Sequence, residues 1–175
     1  MRWRAHSSDG LADIDERPAV LIICYGNRLR CDDGLAWHAA EQLNRLFSPA
    51  KVRIITCHQL TPELCETLHR ANTVFFIDAG SDGSPGELRF IELGPESFVS
   101  PLDHTASPAA LVTLCHKLWG SAPRAFLVSL SGACFDFGES LSPQVIARIP
   151  YLTNVVVAAV DRLSGTKIRS LSARP

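Results

Sequence analysis

Several enzyme classes are identified from short residue signatures, and this sequence lacks most of them. No GxGxxG comes after its first apolar run and no GxxxxGK[ST] occurs, so there is no glycine-rich cradle for a nucleotide phosphate. A GxSxG elbow is missing too, and the nearest serine candidates, Ser129 and Ser131, have no evident base beside them in sequence. HExxH is absent. Six cysteines, Cys24, Cys31, Cys57, Cys65, Cys115 and Cys134, form no CxxC pair, which fits neither a zinc site nor a disulfide framework. Cys24, Cys57 and Cys115 fall in apolar runs and read as small core hydrophobes in a reducing compartment.

An excess of one charge is missing as well. Seventeen basic and eighteen acidic residues leave a net charge of −1, far from the balance a phosphate-backbone binder needs, so no nucleic-acid partner is expected. No apolar stretch approaches the roughly 18 residues of a spanning helix, so no membrane partner is expected either. The opening MRWRAHSSDGLADIDERP carries charge throughout and has no apolar signal-peptide core. A cytoplasmic protein is the expectation.

What is present is one core's worth of apolar residues, 46% of 175, arranged in a repeating pattern. AVLIICY from Ala19 to Tyr25, VRIITC from Val52 to Cys57, TVFFIDAG from Thr73 into Asp78 and AFLVSLSG from Ala125 to Gly132 are strand-like. The first and third are apolar throughout, as in strands buried on both faces. Between them lie helical patterns: Leu35, Ala39, Leu43 and Leu46; a short helix capped at Thr61 with Pro62 first; and SPAALVTLCHKLWG, opened by Ser107 and Pro108 and closed by Gly120. GELRFIEL reads as an edge strand, and Pro150 is expected to divide a short helix from a longer terminal one. The alternation predicts a single α/β domain, a three-layer α/β/α sandwich with a mainly parallel twisted sheet. Its core spans about residues 19–163, with polar, flexible ends at 1–18 and 164–175.

In such folds ligands bind outside the carboxyl ends of the strands. Three residues there are good metal ligands: Asp33 of the Asp32-Asp33 pair, Asp78 ending the third strand, and His104 in PLDHTAS. With a 2-1-3 strand order, Asp33 and Asp78 emerge at one sheet edge and His104 closes the triangle. Two carboxylates and an imidazole suit a borderline transition metal better than magnesium or calcium. Each residue also has a plain structural reading: Asp32 or Asp33 as a helix N-cap, Asp78 in an Asx-turn, His104 as a loop histidine. Cys31, beside two acids, has its thiolate disfavoured. Arg28 and Arg30 read equally as a solvated loop face or as substrate contacts.

YGNRLRCDDGLAWHAAEQL resembles the GxGNxLxxDDGxG signature of the nickel-iron hydrogenase maturation endopeptidases. HQLTPEL, VFFIDAGSDGSPGEL, DHTASPAALV and SGACFDFGESLSPQV resemble that family's successive blocks in the same order, from about Val20 to Leu163. The resemblance implies an enzyme that removes a C-terminal extension from a hydrogenase large-subunit precursor after nickel insertion. Asp33, Asp78 and His104 would be its metal-contacting and catalytic residues, and Gly26 and Asn27 would shape the turn and hold substrate. Nickel would come with the precursor, with no permanently bound organic cofactor. Three positions depart from the pattern: Cys24 and Cys31 stand where glycines are frequent, and Ala36 replaces another. The helix face around Trp37, and exposed apolar residues near Leu102, read equally as a docking face for the large subunit or as simple core packing. The rivals are a self-contained zinc hydrolase of small amides and a non-catalytic metallocentre chaperone.

Overall fold

The computed structural model describes residues 18–94 and 107–164. Residues 1–17 and 165–175 of the two polar ends, together with Leu102 and His104, lie outside the described residues. Five strands form one sheet in the order β2-β1-β3-β5-β4, with β1 at Val20–Tyr25, β2 at Val52–Cys57, β3 at Thr73–Gly80, β4 at Leu88–Leu93 and β5 at Arg124–Ser131. All pairings are parallel except β4 against β5. The central strands are apolar because both faces are covered: Val20 to Cys24 and Val74 to Ile77 are at most 1% exposed.

Two helices cover each face. Helix α1 (Leu35–Leu46) and helix α4 (Pro143–Ser164) pack on the side of Ile22, Phe75 and Val128. On the other side, α2 (Leu64–His69) and α3 (Pro108–Trp119) pack against Leu21, Phe76 and Ala125. This is the expected three-layer sandwich, with its 2-1-3 order at one end of the sheet. The start of α3 is as expected from its residues: Ser107 Oγ accepts from Ala110 N–H at 3.1 Å, and Gly120 closes the helix in the left-handed region.

Three expectations need correction. Thr61 does not cap α2; Thr61 and Pro62 accept from the Leu64 and Cys65 N–H groups in a preceding turn, and the helix begins at Leu64. Pro150 does not divide the last helix, which runs through it. Its ring is on the exposed side, while Val145, Ile149, Leu152, Val156 and Val160 are buried, so the packed stripe outweighs the one lost backbone bond. Helix α4 is also long and apolar enough, by length and composition alone, to cross a bilayer, contrary to the expectation that no segment is. Here that stripe is buried in the α1 side of the core.

Candidate functional site

Strands β1 and β3 are parallel neighbours, so the turn leaving β1 emerges beside the carboxyl end of β3. The register that pairs Cys24 with Ile77 brings Tyr25 next to Asp78. Strand β3 continues past Asp78 because Asp78, Ala79 and Gly80 pair with Ser129, Leu130 and Ser131, so Asp78 is held in a strand and not in an Asx-turn. After β1 the chain turns through Gly26 and a 3-10 turn at Cys31–Gly34 that carries Asp33.

That turn requires glycine at position 26. Its φ is +141°, and a Cβ there would lie 2.0 Å from the Asp33 carbonyl oxygen. The close approach lets Asn27 N–H donate to Asp33 Oδ2 at 2.8 Å, and Trp37 Nε1 donates to the Gly26 carbonyl at 2.9 Å. The departures at Cys24 and Ala36 leave the turn intact, since both side chains are fully buried in the α1 side of the core. Asn27 Oδ1 accepts from Leu29 N–H at 2.9 Å, so this side chain closes its own turn. Trp37 is half-buried behind the turn, with Arg28 5.4 Å above its ring, and its indole N–H ties α1 to the loop. Arg30 is exposed and donates to the Phe135 carbonyl.

Asp33 and Asp78 line one cleft of about 380 Å³ together with Tyr25, Gly26, His58 and Ser107. Ser107 is three residues after His104 in the sequence. Among the described residues, no lysine or arginine lines this cleft. Burial pushes the Asp78 carboxyl up to about 6, against hydrogen bonds from the Tyr25 hydroxyl and the Ala79 N–H (2.7 Å), and the Asp33 charge adds to the rise. Burial and the Asp78 charge raise the Tyr25 phenol well above its usual range, so it remains a donor. Among the described residues no three His, Cys, Asp or Glu side chains form a metal-binding group; Asp33 and Asp78 are the two acids lining this cleft. The sequence reading does not single out His58. Its position directly after β2, at the same sheet edge, is the signal that could have found it.

Asp32, next in the chain, belongs to a different structure. It is fully buried; Oδ2 accepts from Ala133 N–H (2.7 Å) and Cys134 N–H (3.0 Å), and Oδ1 from Ser142 N–H (2.6 Å). Burial alone would raise its pKa, but these donors outweigh burial and hold the carboxyl below its ordinary value. Neither acid caps α1, whose N-terminus has no side-chain cap, so the capping reading is set aside. Ser131 is buried and donates to the Asp82 carbonyl, away from nucleophile duty. The Cys31 thiol is pushed up to about 11, first by its hydrogen bond to Cys134 and then by burial and neighbouring charges, against a thiolate nucleophile. A second groove, about 450 Å³ between β4 and the end of α4, is lined by Phe90, Phe126, Arg162 and Leu163, and its Glu92 and Arg124 pair with each other.

No protein-family model matches the chain, and no curated protein matches it. Solved structures do. The hydrogenase maturating endopeptidase HybD from E. coli is similar at 23% identity and a TM-score of 0.72, over 87% of this chain and 99% of that one. The solution structure of an endopeptidase from Escherichia coli gives 24% and 0.69, over 87% and 99%. The [NiFe] hydrogenase maturation protease HycI from Thermococcus kodakarensis KOD1 gives 19% and 0.66, over 84% and 92%. These likenesses establish that the chain shares its fold with those proteins over nearly the whole of their structures.

Proposed function

We propose that this protein is an endopeptidase that removes the C-terminal extension of a nickel-iron hydrogenase large-subunit precursor once nickel has been inserted. The observation that carries the reading is the pairing of Asp33 and Asp78 in one cleft that, among the described residues, no lysine or arginine lines. The Asp33 charge adds to the cost of ionising the buried Asp78, and a cation between them relieves it. The shared fold with maturation proteases and the ordered sequence blocks supply the substrate class. Asp33, Asp78 and His104 are the proposed ligands, meeting nickel that the precursor already holds. A precursor without nickel then lacks half of the docking site. The ion serves to fix the tail and polarise its peptide carbonyl or a water, while a carboxylate moves the proton. Gly26 shapes the wall against which the substrate backbone lies, and Asn27 holds the turn. Six cysteines, none in a disulfide, suit a reducing, cytoplasmic setting.

The test is a mass shift. Purified protein is incubated with the precursor, nickel-loaded or nickel-free, and the precursor is weighed. Loss of a C-terminal fragment with nickel alone supports the reading. Binding without loss in either case replaces it with the chaperone, and loss without nickel removes the ion as recognition token.

A further inference from the structure

Cys31 and Cys134 are about a hundred residues apart in the chain and adjacent in space. Asp32 N–H donates to the Cys134 carbonyl and Asp32 Oδ2 accepts from Cys134 N–H, both at 3.0 Å, while Cys31 N–H donates to the Gly138 carbonyl at 2.7 Å. The Cys31 sulfur lies against Gly138, in the segment that carries Cys134, and the Cys134 thiol contacts Asp136 Oδ2 at 3.9 Å. Both residues are half-buried, within reach of a small oxidant, whereas Cys24, Cys65 and Cys115 are buried. Cys31 also has φ +43°, the one non-glycine residue in the left-handed region among the described residues. A side chain at such a position is strained where glycine would not be.

We propose that Cys31 and Cys134 form a reversible disulfide that clamps the turn carrying Asp33 to the segment leading into α4. With a disulfide oxidant such as oxidised glutathione the step balances. One cysteine thiolate attacks a glutathione sulfur, breaking that S–S bond and releasing one glutathione thiolate. The second cysteine thiolate then attacks the mixed disulfide, forming the Cys31–Cys134 bond and releasing the second glutathione. Two protein thiols are oxidised, one glutathione disulfide is reduced to two thiols, and the two protons lost from the cysteines end on glutathione. Disulfides of this kind in a reducing compartment are transient and redox-sensing. Closing a loop of about a hundred residues also restricts the unfolded chain strongly.

The full chain is treated with oxidised glutathione, its remaining thiols are alkylated, and it is digested for peptide mass mapping and melted in parallel. The expected result is a linked peptide joining Cys31 to Cys134, four alkylated cysteines in place of six, and a Tm higher by at least about 4 °C that dithiothreitol reverses. Cys134→Ser and, separately, Cys31→Gly abolish the linked peptide and the Tm rise. Cys31→Gly also relieves the strain, so a folded control is assured, and Cys57→Ser keeps both signals. Six alkylated cysteines after oxidation, a glutathione adduct that persists on either residue, or a linked peptide joining other cysteines overturns the proposal.

Discussion

Asp32 and Asp33 leave the same 3-10 turn into opposite surroundings. Asp32 enters the protein, where three backbone N–H groups from the segment 133–142 satisfy it and keep it ionised. Asp33 enters a cleft where one N–H reaches it and where Asp78 faces it as a second acid. The first carboxylate is a structural rivet whose charge is matched by the fold itself. In the cleft, Asp33 accepts from Asn27 N–H while Asp78 accepts from the Tyr25 hydroxyl and the Ala79 N–H, and the Asp33 charge adds to the cost of ionising Asp78. Two adjacent aspartates are thus divided by what the rest of the chain brings to them: Asp32 is bonded into the fold, and Asp33 faces a second acid.

The largest expected effect breaks the pair apart functionally. Asp33→Asn should abolish precursor processing in the mass-shift assay, a loss of at least about 100-fold, while thermal melts place its Tm near that of the parent. Normal cleavage by this variant removes Asp33 from the machinery. Asp32→Ala should do the reverse, lowering unfolding free energy in urea by about 3–5 kcal/mol, because three buried N–H groups lose their acceptor. A small change there would show that the segment 133–142 does not depend on the rivet.

The pH dependence should have opposite signs in the two places. Asp78 has its folded pKa raised to about 6, so its stabilising contribution is present below the unfolded value near 3.8 and is lost as pH rises through about 6. Asp78→Asn should therefore gain on the parent between pH 4 and 7, by about 2 kcal/mol in metal-free buffer. Asp32 has its pKa lowered, so its contribution is present above about 3.8 and is lost as pH falls through the folded value. The deficit of Asp32→Asn should accordingly shrink in acid. Parallel profiles for the two variants would dissolve the distinction. The smallest effect is expected from Tyr25→Phe: it removes a donor to Asp78, so the carboxyl should titrate above about 6 in a carbon-13 NMR titration, with little change in Tm.

Much of this is legible in the residues. The runs VLIICY and TVFFIDAG are apolar on both faces and could belong only to the middle of a covered sheet, and Ser107-Pro108 to Gly120 reads as a helix because cap and stop are local chemistry. Asp33 and Asp78 are legible as post-strand acids once β1 and β3 are neighbours. Pro150 misleads because its rule is local, whereas the stripe from Val145 to Val160 gains its weight from packing on distant strands. The direction of β4 is not legible, since an alternating edge strand has the same pattern either way. His58 is silent in the sequence because one histidine after a strand carries no signal until the cleft it lines exists.

By itself the sequence determined the element types, the layered class and the acids near the strand ends, because periodicity, caps and burial preference act within a few residues. Only the tertiary structure decided which of two adjacent aspartates is satisfied and which is left facing another acid. The partners that decide it, Ala133, Cys134 and Ser142 for one and Asp78 for the other, lie about 45 to 110 residues away along the chain. No local pattern carries their arrival, which depends on the closing of the whole sheet.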